Sequence, residues 1–324
     1  MSFNKPILVV TGAAGMIGSC VVRYLNDTGR TNLLLVDDLK SGEKWKNLVG
    51  KQFLDLISRH TLFDWLKEQG DSVEAIIHLG ACSDTVETNA DYLLENNYRY
   101  TIGLAAWALE RNVRFIYASS AATYGDGSHG FSDDEALLES LRPINMYAYS
   151  KHLADLWMKQ NGVLNKVVGL KYFNVFGPNE YHKGQMASMV LKMSHIADKE
   201  GAVQLYKSND LKFGHGEQCR DFIYVKDAAR MTCAFLDRPE LNGIFNIGQG
   251  KPTTWNELAE ALFFALQKEP RIHYIDMPLE LSRQYQNYTC AEMGKFFKIS
   301  PSTTPLREAV GDYVQNYLMA SKRW

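Results

Sequence analysis

The chain has 324 residues, 46% of them hydrophobic and 22% charged, with a formal net charge of −2 at pH 7. That composition supports a large buried core and offers no electrostatic case for nucleic acid or an anionic membrane surface as partner. Five scattered cysteines (Cys20, Cys82, Cys219, Cys233 and Cys290) form no Cys-x-x-Cys pair, which argues against a disulfide frame or metal site and for reduced thiols in a cytoplasmic protein. No apolar run is long enough to span a bilayer, and the first residues run straight into a strand, so no signal peptide is expected.

Ile7-Leu-Val-Val-Thr11 is an unbroken apolar run of β-branched type, the pattern of a strand buried on both faces of a parallel sheet. Gly12-Ala-Ala-Gly15-Met16-Ile17-Gly18 follows at once and leads into a helical pattern through Cys20, Val21, Tyr24 and Leu25. A glycine turn between strand and helix presents backbone N–H groups and the positive helix end to a pyrophosphate, so a dinucleotide is expected here. The spacing is Gly-x-x-Gly-x-x-Gly, not the commoner Gly-x-Gly-x-x-Gly. A second strand over 32–36 ends in Asp37-Asp38, about twenty residues on, where an acid typically hydrogen-bonds the adenosine ribose. Lys40, Lys44 and Lys46, with Arg59 beyond, could equally face a 2′-phosphate or form a solvated basic turn.

Residues 73–79 read as the next strand, opening into Gly80-Ala81-Cys82-Ser83, small residues that let a ligand approach the backbone. A helix over 92–111 carries Asn96 and Asn97. The strand over 114–118 ends in Ser119-Ser120, placing hydroxyls where open α/β sheets bind ligands. Tyr147 and Lys151 form the chain's one Tyr-x-x-x-Lys and share a helix face one turn apart. The ammonium is expected to favour the phenolate, which fits Tyr147 as a general base. With a strand over 167–173, the alternation predicts an α/β fold, a Rossmann-type doubly wound parallel sheet over residues 1–175. Residues 176–324 read mainly as a smaller mixed α/β substrate-binding lobe, with 243–248 returning to the main sheet. In that lobe a helix is expected over 186–199. Arg220-Asp-Phe-Ile-Tyr-Val225 and Arg283-Gln284-Tyr285 supply polar groups, as ligand contacts or as packed salt bridges.

Taken together, Gly12 to Gly18, Ser120, Tyr147 and Lys151 resemble the extended short-chain dehydrogenase/reductase family, the sugar-nucleotide epimerases and dehydratases, over nearly the whole chain. The strings Val36-Asp-Asp-Leu-Lys40, His78-Leu-Gly-Ala-Cys-Ser83, Glu95-Asn-Asn-Tyr98, Tyr117-Ala-Ser-Ser-Ala-Ala-Thr-Tyr-Gly125, Lys171-Tyr-Phe-Asn-Val-Phe-Gly-Pro178 and His182-Lys-Gly-Gln-Met-Ala-Ser188 are similar to the branch that inverts C6 of an ADP-heptose for lipopolysaccharide. The resemblance implies an ADP-heptose substrate, transient oxidation by bound NADP with NAD as the alternative, and a homo-oligomer, pentameric by family likeness. It implies Tyr147 as base, Lys151 on the nicotinamide ribose, Ser120 on the reacting oxygen and Lys183 as a second acid/base. The cofactor contacts carried over are Gly12, Gly15, Met16, Ile17, Gly18, Asp37, Asp38, Lys44, Arg59, Leu79, Gly80, Ala81, Cys82, Ser83, Asn96, Lys151, Val175 and Lys183. The substrate contacts are Ser120, Asn174, Gln185, Lys192, Arg220 and Tyr285, and no metal is implied.

Three features depart from neighbouring patterns. Asp38 stands where Asn is expected, which leaves NAD open beside NADP. Residues 211–219 are longer than this branch suggests and read like the Gly-x-Gly-x-Gln-x-Arg-Asp loop of other sugar-nucleotide epimerases. Ala121-Ala122 occupies the place where 4,6-dehydratases carry Asp-Glu, so a dehydration lacks an evident acid/base pair. A non-catalytic dinucleotide-binding protein would not need Ser120, Tyr147 and Lys151 together.

Overall fold

Each long apolar run becomes a strand buried on both faces. In chain order these are β1 (Ile7–Thr11), β2 (Leu33–Asp37), β4 (Val73–His78), β5 (Arg114–Ser120) and β6 (Val167–Tyr172). The short β3 (Asp55–Ser58) lies between β2 and β4 in the chain. It is half-exposed and lacks an apolar run, so its sequence does not announce a strand. Helices α1 (Met16–Asp27), α2 (Leu62–Gln69), α3 (Ala90–Leu93), α4 (Tyr100–Glu110) and α5 (Met146–Gln160) connect these strands. The computed structural model describes residues 6–282, 285–300 and 302–324, so Arg283 and Gln284 lie outside the described residues.

The second part runs β7 (Asn174–Phe176), α6 (Met189–Glu200), β8 (Val203–Tyr206), β9 (Cys219–Arg220), β10 (Phe222–Tyr224), α7 (Val225–Cys233) and β11 (Gly243–Ile247). Then follow β12 (Thr253–Thr254), α8 (Trp255–Ala265), β13 (Ile272–Ile275), α9 (Leu279–Ser282), α10 (Gly294–Phe297) and α11 (Leu306–Tyr313). β11 joins β6 in parallel, completing a seven-stranded parallel sheet ordered β11-β6-β5-β4-β1-β2-β3. The remaining strands pair two by two: β10 with β7, β12 with β9, and β13 with β8.

Strand order reverses between β1 and β4, which pair directly. Successive connections leave that point in opposite directions, so a crevice opens at the carboxyl ends of those strands. Two details keep it open. Gly12 has φ +66°, and a Cβ there would stand 2.6 Å from the Gly80 amide nitrogen. A Cβ on Gly18 would stand 2.1 Å from the Gly12 carbonyl oxygen, so α1 packs this close to the turn only without a side chain.

The helix expected over 92–111 is interrupted. Residues Leu94–Arg99 form a π-helical turn between α3 and α4. Such turns re-aim side chains near sites, and this one buries Asn96 and Asn97 together. The helix expected over 186–199 begins at Met189, where Ser188 caps it by accepting from the Leu191 amide.

Candidate active site

A cleft of about 900 Å³ opens at the strand-order reversal. It is lined by Gly12, Gly15, Met16, Ile17 and Gly18 and by Leu79, Gly80, Ala81, Cys82 and Ser83. No side chain caps the start of α1, which leaves its first amides available to an anion. Asp37, Asp38, Lys44, Arg59 and Asn96 line the far end. Asp37 is already engaged: its Oδ2 accepts from the Ala14 amide at 2.7 Å, and its Oδ1 accepts from the Asp38 amide and Lys44 Nζ, each at 2.6 Å. The acid therefore braces the glycine loop and carries its own counter-cation. Arg59 donates to Asn96 Oδ1 while its buried Nε has no partner.

Asn145 starts α5 by accepting from the Ala148 amide, and the helix then turns Tyr147 and Lys151 towards the cleft beside Ser120. Lys151 is buried and its Nζ donates to the Ala118 carbonyl at 2.7 Å. Burial lowers its pKa to about 8, against an opposing pull from Asp155. The expected lowering of Tyr147 by Lys151 is not what the geometry gives. Burial raises the Tyr147 phenol, Ser120 opposes by hydrogen bonding, and Cys82 adds to the rise. The reason is burial, which disfavours the phenolate, while the Lys151 ammonium donates to the strand-end carbonyl and not to the phenol.

Beneath α5 lies a fully buried ion pair. Asp155 meets Lys171 at 2.8 Å and also accepts from Tyr117 and Ser119. Lys171 further donates to Thr123 at 2.5 Å. A buried pair is tolerated when its remaining polar positions are filled in this way. Asp155 thereby ties the helix bearing Tyr147 to β6 through Lys171 and to the strand bearing Ser120 through Tyr117 and Ser119.

Lys183 approaches the same cleft from the loop after β7, with Asn174, Val175 and Gln185 nearby. Its pKa is lowered by burial and by Lys192, and raised by Glu180. Three expected substrate contacts do not line the cleft. Lys192 donates to the Gln185 carbonyl at 2.6 Å. Arg220 lies over the rings of Tyr285 and Trp255, at 5.0 and 5.8 Å from their centroids, and Trp255 Nε1 donates to Tyr285 at 2.8 Å. Trp255 is the member of this stack that reaches the cleft.

The model of the NAD dependent epimerase/dehydratase family matches residues 8–248. The chain belongs to that family. An ADP-L-glycero-D-manno-heptose-6-epimerase of Nitratidesulfovibrio vulgaris (strain Hildenborough) is 47% identical over 318 residues, covering 97% of this chain and 98% of that protein. One of Fusobacterium nucleatum subsp. nucleatum is 44% identical, covering 96% and 98%. The crystal structure of the Helicobacter pylori ADP-L-glycero-D-manno-heptose-6-epimerase superposes with a TM-score of 0.79 at 25% identity, covering 96% of each chain.

For a member of the NAD dependent epimerase/dehydratase family, several supporting residues are visible only in the fold. Asn97 donates to the Cys82 carbonyl and to Ser150, and accepts from the Cys82 amide. It thus couples the small-residue loop to α5. His78 bridges the two sides of the same region. Thr11 accepts from the Gly80 amide and pairs with His78 Nδ1 at 2.7 Å. Thr101 donates to the Asn97 carbonyl and therefore accepts from His78 Nε2 at 3.0 Å. Burial, with the Lys151 charge adding to it, holds the His78 pKa down to about 3, so the ring is neutral and its Nδ1 accepts from Thr11. Nothing local points to His78. Among the described residues no helix is long and apolar enough to cross a membrane.

Proposed function

We propose that the chain interconverts ADP-D-glycero-D-manno-heptose and ADP-L-glycero-D-manno-heptose by inverting C6 through a transient 6-keto sugar. The observation that carries this reading is the convergence of Tyr147, Lys151, Ser120 and Lys183 on the cleft that the glycine loop borders. The likeness to the heptose epimerases at 47% and 44% identity names the substrate class. A bound nicotinamide dinucleotide supplies reversible hydride acceptance at C6. The open amides at the start of α1 and the closely packed Gly12 and Gly18 fit its pyrophosphate. We infer that it is NADP in preference to NAD. Asp37 has its charge matched by Lys44, and Arg59 lines the same cleft, a cation that suits a 2′-phosphate.

The protein's part is acid/base work and orientation. Tyr147 takes the C6 hydroxyl proton while Ser120 hydrogen-bonds that oxygen. Lys151, held by the Ala118 carbonyl, orients the nicotinamide ribose. Inversion presents opposite carbonyl faces to one fixed cofactor, so the oxygen occupies two positions and one base serves both poorly. Lys183, on another segment, is the second acid/base. Residues 176–324 other than α7 and β11 hold the sugar nucleotide together with Asn174; Gln185 and Trp255 line the cleft, and Arg220 and Tyr285 stack against Trp255 or bond to it.

The test is incubation of the purified, NADP-loaded chain with ADP-D-glycero-D-manno-heptose and separation of the two C6 epimers. An equilibrating mixture is expected. Recovery of unchanged substrate by cofactor-saturated enzyme overturns the reading.

A further inference from the structure

The loop that carries Lys183 is built around an acid the mechanism above does not use. Glu180 is fully buried. Its Oε2 accepts from the Ser188 amide at 2.5 Å, and its Oε1 accepts from Ser188 Oγ at 2.7 Å, Tyr313 OH at 2.9 Å and the Gly177 amide at 3.4 Å. One carboxyl group thus joins the end of β7, the start of α6 and α11, closing the neck of the loop over residues 177–188. Every partner donates, which is the pattern an ionised carboxylate requires. The start of α6 beside it also favours negative charge. Among the described residues no Lys or Arg forms an ion pair with Glu180. Three residues on, Lys183 is tied to it by a turn in which the Lys183 amide donates to the Glu180 carbonyl at 2.9 Å. The Lys183 ammonium has no hydrogen-bond or ion-pair partner among the described residues.

We propose that Glu180 is a positioning residue for the reaction. Its bonds across the loop neck set where the Lys183 ammonium stands, and its buried charge sets how readily that group yields its proton. The proposal rests on the acid/base reading of Lys183 given above. The charges that act on Lys183 are those of Glu180 from the loop and Lys192 from α6, and its neighbour His182 feels Lys44 and Asp37 as well as Lys183. His182 is held down to about 4 by burial and by Lys44 and Lys183, so it adds no positive charge at neutral pH. Glu180 is the one anion acting directly on Lys183, opposing burial and Lys192.

The test compares kcat–pH and KM–pH profiles of the full, NADP-loaded chain with those of Glu180→Gln, Glu180→Asp and Lys183→Met. In the native enzyme, the alkaline limb of kcat due to Lys183 is the one that Lys183→Met abolishes. In Glu180→Gln that limb is expected to move to lower pH by about one unit. High on the native alkaline limb kcat then falls roughly tenfold, and near the native optimum about two- to fivefold, with KM changed less than about threefold. Glu180→Asp keeps the charge but draws it back from Ser188, so its limb is expected to lie between those of the native enzyme and Glu180→Gln. A folded, cofactor-binding Glu180→Gln whose limb stays in place overturns the proposal and leaves Glu180 a structural staple. If Lys183→Met keeps the native limb, the acid/base reading of Lys183 fails first and takes this inference with it. Should Glu180→Gln not fold, Glu180→Asp decides, because it draws the carboxylate back from Ser188. A lowered kcat with the limb displaced supports the proposal, and a native profile overturns it.

Discussion

The two walls of the cleft are built by different means. The dinucleotide wall is made of backbone: glycines at the ends of buried strands, open amides at α1, and an acid whose bonds stay within the glycine loop and the turn that follows β2. The reacting wall is made of side chains brought from far apart in the chain. Asp155 and Lys171 brace α5 from below, and Glu180, Ser188 and Tyr313 hold the Lys183 loop. A backbone wall tolerates most side-chain changes outside its glycines. A side-chain wall depends on each partner, so single substitutions there affect rate, stability or titration separately.

The largest expected effect is on rate. Tyr147→Phe keeps the ring's packing and removes only the hydroxyl, so kcat should fall roughly 10²–10⁴-fold with cofactor binding retained. Near-native turnover of both epimers would remove Tyr147 from the reacting wall.

Next comes the brace beneath it. Lys171→Met leaves the Asp155 carboxylate buried without its cation, which costs about 3–5 kcal/mol, read as a lower urea midpoint at unchanged slope. Adding Asp155→Asn should recover part of that loss, because the stranded charge is gone. A single variant within about 1 kcal/mol of the native chain shows that the pair does not hold α5.

His78, between Thr11 and Thr101, is kept neutral by burial. Its pKa is lowered in the folded chain to about 3 from an ordinary 6.5, so between those values the unfolded chain binds a proton that the native one refuses. Stability is therefore present above pH 6.5 and is lost as pH falls, by about 1.4 kcal/mol per unit from this group. His78→Gln should flatten that slope between pH 7 and pH 5 in denaturant titrations. An unchanged slope assigns the acid limb elsewhere.

The smallest effect tests the dinucleotide wall. Lys44→Ala should weaken NADP about tenfold and NAD no more than about threefold in calorimetric titration, since one charge-assisted contact to a 2′-phosphate is lost. Equal loss for both cofactors would mean that Lys44 serves only to neutralise Asp37.

Some of this was legible in the sequence because it depends on near neighbours in the chain. Unbroken apolar runs specify strands covered on both faces, and a glycine turn between strand and helix specifies where backbone can approach a phosphate. Tyr147 and Lys151 share a helix face by spacing alone. The alternation of strand and helix then leaves few topologies, which is why the parallel sheet follows from the pattern. The short β3 escaped because a half-exposed edge strand has no apolar run to mark it. The direction of the Lys151 ammonium, the stack that sets Arg220 behind Trp255, and the neutral state of His78 were decided only by tertiary structure. Each depends on hydrogen bonds or ring contacts between residues tens of positions apart, and burial then raises the cost of leaving any of those groups unpaired.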